Sequence, residues 1–235
     1  MRRRGTTAPE GWGRPEPPAI HNGDAHGFSL VELLVVVAIM ALLLGILLPG
    51  LARARLAARV VKAHADLRSI DQALLMYQQN HRDGLPPTRF SCSSGATFPL
   101  PLELGQGDYL QVDVPDGEEQ TLLADVFNPT PGQSYKYRAP GPAWVNTTTY
   151  MPHGSWLWIP DDAPLCRSTG GDWVNDREDA AVRYAAWSVG PDDGSPPEIE
   201  VNRHPLPQAA WYGNGNRSGV ITHYADQAGR THSSP

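Results

Sequence analysis

From Phe28 to Leu48 the chain runs through 21 residues whose only charge is Glu32. At about 1.5 Å per residue, a helix of that length crosses a hydrocarbon core of about 30 Å. The run therefore predicts a membrane-spanning helix. After Pro49-Gly50 the apolar positions keep a helical period. Leu56, Val60, Ala63, Leu67, Ile70, Leu74 and Tyr77 follow one another at alternating steps of four and three, which sets them along one helix face. Arg55, Arg59, Lys62, Asp66 and Gln72 or Gln79 fall on the opposite face. Gly84 and the Pro86-Pro87 pair end the pattern, so a single helix is expected from Phe28 to about Asn80. Pro49 has no N–H and clashes with the preceding turn, which predicts a kink or local unwinding there. The stripe is short and weakly charged at its flanks, as in a helix that packs on a sheet rather than in a coiled coil.

Beyond Leu85 the period changes. Short apolar and aromatic runs, SYKYRAP, SWLWIP, VRYAAWSVG and SGVITHYAD, alternate with clusters of Gly, Pro, Asn and Asp. These predict short antiparallel strands joined by long loops. Trp156 and Trp158 alternate in strand fashion and read as core. The fold class is α+β: a long N-terminal α-helix, half transmembrane and half amphipathic, packed on a small antiparallel β-sheet domain. The expected boundaries are a leader at 1–27, the transmembrane half at 28–48, the amphipathic half at 49–82 and a β-rich globular part at 83–235.

Residues 1–27 are rich in Pro, Gly and charge and show no period. They do not read as a conventional secretory signal. A polar spacer separates Arg2, Arg3 and Arg4 from the apolar run, and no small-residue cleavage site follows it. Arg53, Arg55, Arg59 and Lys62 beyond the span balance the basic residues of the leader, so charge bias alone gives no orientation.

Composition narrows the function. The net charge of −6 and the lack of a basic stripe argue against nucleic acid as a partner. With 23 Gly and 23 Pro a loop-rich domain is expected. Two cysteines, Cys92 and Cys166, are too few for a disulfide scaffold and lack metal-ligand spacing; one disulfide between them and two unrelated thiols are both open. No G-x-S-x-G elbow, H-E-x-x-H helix or phosphate-cradling glycine loop occurs, and no enzymatic activity is expected. His204 and His223 lie in loop-like contexts and read as solvated, and Asp161-Asp162 reads as turn chemistry. The segment SVGPDDGSPPEIE, residues 188–200, gathers Asp192, Asp193 and Glu198. It reads as a calcium loop or as an acidic solvated turn.

The six residues Gly27-Phe28-Ser29-Leu30-Val31-Glu32, followed by the apolar helix, resemble the class III signal of type IV pilins and of the pseudopilins of type II secretion. The resemblance implies cleavage after Gly27 by a prepilin peptidase and N-methylation of Phe28. Pro49 falls where many family members have a helix-breaking proline, whereas His26 stands where a Lys or Arg often precedes the glycine. Further along, FPLPLELGQGDYL, DVFNPTPGQSYKYR and YAAWSVGPDDG resemble the motif order of relatives of the major type II pseudopilin. That likeness implies calcium in a late loop, with Asp192 the best-matching position, Asp193 beside it and Val220 where an acid would be expected.

The family also implies a role for Glu32, an assembly contact with the freed amino group of Phe28 on a neighbouring subunit. The implied partners are the peptidase-methylase, other pilins or pseudopilins, an inner-membrane assembly platform and membrane lipid. The implied location is the bacterial inner membrane, single-pass, with the globular part periplasmic. A minor pilin serving adhesion or DNA uptake, and a periplasmic enzyme on an uncleaved anchor, are the alternatives.

Overall fold

The computed structural model describes residues 29–90, 98–113, 121–128, 133–146, 148–163, 170–191 and 204–235. The chain divides into two compact units, Met1–Pro49 and Gly50–Pro235. Helix α1, Leu30–Asn80, contributes to both. It stays helical through Pro49, so the local unwinding expected there is absent. The missing proline N–H removes one ladder bond, to the carbonyl of Gly45, and the neighbouring bonds carry the helix across.

The helix face predicted from the period is largely the one that is buried. Ala63, Leu67, Ile70 and Leu74 are fully inaccessible, and Val60 and Tyr77 are half-buried. Leu56 departs from the expectation, being exposed. Fully burying a leucine-sized side chain stabilises by roughly 1.5–3 kcal/mol, so this stripe seats the aqueous half of α1 on the domain. Asp66, expected on the opposite face, instead accepts a 2.8 Å hydrogen bond from the Tyr135 hydroxyl while pairing with Lys62 at 2.9 Å.

The remaining elements are β1 (Thr88–Phe90), α2 (Glu103–Gln106), β2 (Val112–Asp113), β3 (Thr121–Leu122), β4 (Lys136–Arg138), β5 (Gly141–Val145) and β6 (Thr149–Ser155). After them come β7 (Leu157–Ile159), β8 (Asp172–Val174), β9 (Val182–Ser188), a short 3-10 turn, β10 (Ile221–Asp226) and β11 (Thr231–Ser233). The largest sheet is antiparallel in the order β11-β10-β9-β4. A second, β1-β5-β6, is mixed, because β1 runs parallel to β5. Two small hairpin pairs, β2-β3 and β7-β8, complete the set. The α1 stripe packs against Tyr135, Tyr137, Tyr184 and Ile221, and a second apolar cluster surrounds Trp187 with Phe98, Leu157, Ile159 and Val220.

Two sequence expectations are corrected here. Trp156 is 45% exposed and Trp158 is half-buried, whereas Leu157 and Ile159, which alternate with them, face the core. His223 is buried rather than solvated, with its Nε2 standing 3.7 Å from Asp71 Oδ2. His204, half-buried, lies edge-on to Trp173 with ring centroids 5.4 Å apart. Asp161-Asp162 does form a turn, as expected.

The β10–β11 hairpin is locked by a buried carboxylate. Asp226 accepts hydrogen bonds from the Arg230 N–H at 2.9 Å and Arg230 Nε at 2.8 Å, with His232 Nε2 at 3.3 Å. Burial alone would raise its pKa; the hydrogen bonds prevail and hold it at about 2 against an ordinary 3.8. A depressed carboxylate stabilises above its unfolded pKa and loses that contribution as pH falls through the folded one. Asp226→Asn should therefore flatten the acid limb of a melting-temperature profile between about pH 4 and pH 2.

Candidate assembly and processing segment

At the start of α1 the sequence S-L-V-E closes on itself. The Ser29 Oγ accepts the Glu32 N–H at 3.2 Å, and Glu32 Oε2 accepts the Ser29 N–H at 2.9 Å. This is a capping box, in which two orphan donors of the first turn are satisfied reciprocally. A carboxylate here also complements the positive end of the helix macrodipole. Glu32 is exposed, and its Oε1 makes no hydrogen bond among the described residues. From Leu30 to Leu48 every side chain is exposed, on a helix long and apolar enough to cross a membrane. Gly27 and Phe28 lie outside the described residues. The S-x-x-E spacing from Ser29 to Glu32 is the signal in the sequence for this cap.

A second constellation joins two of the motif segments in space. Asp125, only 6% exposed, accepts from Ser188 Oγ at 2.7 Å and the Phe127 N–H at 3.0 Å through Oδ1, and from the Val189 N–H at 2.9 Å through Oδ2. The D-V-F segment thus holds S-V-G-P in place. Lys136, 2% exposed, has its pKa lowered by burial, against which the Asp125 charge acts. Gly190 has φ +69°, and a Cβ there would lie 1.8 Å from the Gly219 carbonyl oxygen, so only glycine fits. The Pro191 carbonyl accepts the Gly219 N–H at 3.1 Å.

A third polar group ties α1 to the large sheet. The Tyr184 hydroxyl donates to Asp71 Oδ1, and burial raises the Tyr184 pKa. Among the described residues, no group of three or more His, Cys, Asp or Glu could hold a metal ion. Asp192, Asp193, Cys92 and Cys166 lie outside the described residues. The arrangement offers anchoring and packing, and a charged terminus to a helix, rather than a nucleophile beside a base.

Residues 23–48 match the family model of the prokaryotic N-terminal methylation motif. No curated protein and no solved structure matches the chain. The chain therefore carries a prepilin-type N-terminus on a pilin-like α+β arrangement of one long helix against small sheets. The motif is the kind that a prepilin peptidase processes and that pilin-like structural subunits carry, and it leads into a helix long and apolar enough to cross a membrane.

Proposed function

We propose that the chain is a pseudopilin of a type II secretion system, a subunit of a pilus-like filament. The peptidase cleaves after Gly27 and methylates Phe28. The globular part lies in the periplasm, and α1 holds the subunit in the inner membrane as a single pass until assembly. The observation that carries the reading is the methylation motif at residues 23–48 running into a fully exposed apolar helix. In the filament those apolar side chains bundle against neighbouring helices, and Glu32 enters a region of low dielectric. Its Oε2 is already engaged by Ser29, and Oε1 receives the positively charged amino group of Phe28 on the next subunit. A mispaired carboxylate there is strongly penalised, so the pair sets register more than it adds stability.

Support for a pseudopilin over a minor pilin comes from Asp125, which makes the D-V-F and S-V-G-P segments one structural unit. No step of this function requires calcium, and Asp192 and Asp193 are candidate ligands only. Intact-mass measurement on the membrane-extracted protein tests the processing claim. The expected species begins at N-methylated Phe28. A mature chain beginning at any other residue overturns the reading.

A further inference from the structure

Two surfaces of the Gly50–Pro235 unit stand open and carry opposite charge. The first is the start of the aqueous half of α1. Residues 50–59 are all exposed, and Val60 is the first half-buried position. This stretch shows Leu51 and Leu56 at 46% and 37% exposure, together with Arg53, Arg55 and Arg59. None of the three arginines has an ion pair among the described residues, whereas Lys62, one turn on, is answered by Asp66. Such a segment is too charged for hydrocarbon, and it presents apolar side chains to water.

The second surface is the outward face of the β7–β8 hairpin. Trp158 pairs across the strands with Trp173, ring centroids 5.6 Å apart, and Trp156 shares their side of the strand by alternation. Trp156 and Trp173 are both 45% exposed. Two carboxylates, Asp161 and Asp162, sit exposed in the turn that follows β7 and make no ion pair among the described residues. Within the fold the Arg138 guanidinium already lies 5.6 Å from the Trp173 ring centroid, so this ring accepts an arginine. Guanidinium groups stack on indoles and pair with carboxylates in a way that lysines do not match.

From this complementarity we infer that the tryptophan face of one subunit receives the arginine collar, residues 53–59, of a second copy of this chain. Arg55 and Arg59 are one helical turn apart, a spacing of about 5–6 Å between their Cβ atoms. That spacing matches the separation of the two indoles. The carboxylates of the hairpin complete the cation sites at the rim. The inference rests on the filament reading and adds to it a lateral contact outside the lipid-buried helix bundle.

The test is photo-crosslinking in membranes of cells making the full chain, with benzoylphenylalanine replacing the exposed Trp156. Equal amounts of isotopically light and heavy chains are co-expressed to identify links between copies. The expected product is a mixed light–heavy peptide joining position 156 to residues 50–62. Arg55→Glu with Arg59→Glu should lower its yield about tenfold, and adding Asp161→Arg with Asp162→Arg should restore it. Links to lipid, to a different protein or to another part of the second copy overturn the inference, as does loss without rescue. Failure here is distinct from failure of the filament reading, because processing at Phe28 and sedimentable polymer are read separately on the same sample.

Discussion

Asp125→Ala is expected to destabilise the globular unit by about 3–5 kcal/mol, the range for removing one partner of a buried charged network. Three donors lose their acceptor at once: the Ser188 hydroxyl and the N–H groups of Phe127 and Val189. Lys136, almost inaccessible, loses the nearby charge that offsets its burial. For a unit of this size the melting temperature should fall by roughly 6–20 °C. Near-ultraviolet circular dichroism of the full chain in detergent reads this directly, because the fully buried Trp187 precedes Ser188. Asp125→Asn should fall between, since its single carbonyl oxygen can replace one face of the carboxylate but not both. A melting temperature for Asp125→Ala within about 2 °C of the parent would show that the motif segments are held by something else.

The second large effect is at Glu32, where two roles can be separated. Glu32→Ala removes both the return bond of the capping box and the charge. Glu32→Gln keeps an acceptor for the Ser29 N–H, since glutamine also closes a capping box, but removes the charge. Insertion and cleavage should survive in both variants, because losing a cap costs only about 1 kcal/mol on a helix held by lipid. Sedimentable polymer should drop at least about tenfold in both, as expected when a buried pair loses one partner. The comparison decides between the roles. If Glu32→Gln assembles like the parent while Glu32→Ala does not, the carboxylate acts as a helix cap and the pairing with Phe28 is wrong.

What could be read in advance follows the range of each interaction along the chain. The span and the buried face of Ala63, Leu67, Ile70 and Leu74 are set by a local period, and the helix end by Gly84 and its prolines. The alternation through Trp156-Leu157-Trp158-Ile159 gave the strand but not its inward face. Both sets are apolar, and the indoles, with their polar edge, went outward. The roles of Asp125, Asp71 and His223 were illegible because their partners come from distant elements: Ser188 lies 63 residues from Asp125, and Tyr184 lies 113 from Asp71. Asp71 also follows Ile70 directly, so it stands at the edge of the apolar stripe where period alone does not decide burial. The parallel pairing of β1 with β5 has no local signal either, since both strands are short and neither carries a run that demands that neighbour.

The long reach of those helix-to-sheet contacts bears on how the protein is made. The inward stripe of α1 is synthesised early, yet its covering residues arrive late: Tyr135 at 69 residues beyond Asp66, Tyr184 at 113 beyond Asp71, and Ile221 later still. Closing such separations is slow compared with forming local structure. For much of synthesis the nascent chain displays a finished helix with a bare apolar flank, a substrate for chaperones and proteases. A chain stopped before β9 would lack Tyr184 and Ile221 and leave that flank only partly covered, and it should be cleared rapidly, so partial products of this subunit would not accumulate to poison a growing polymer.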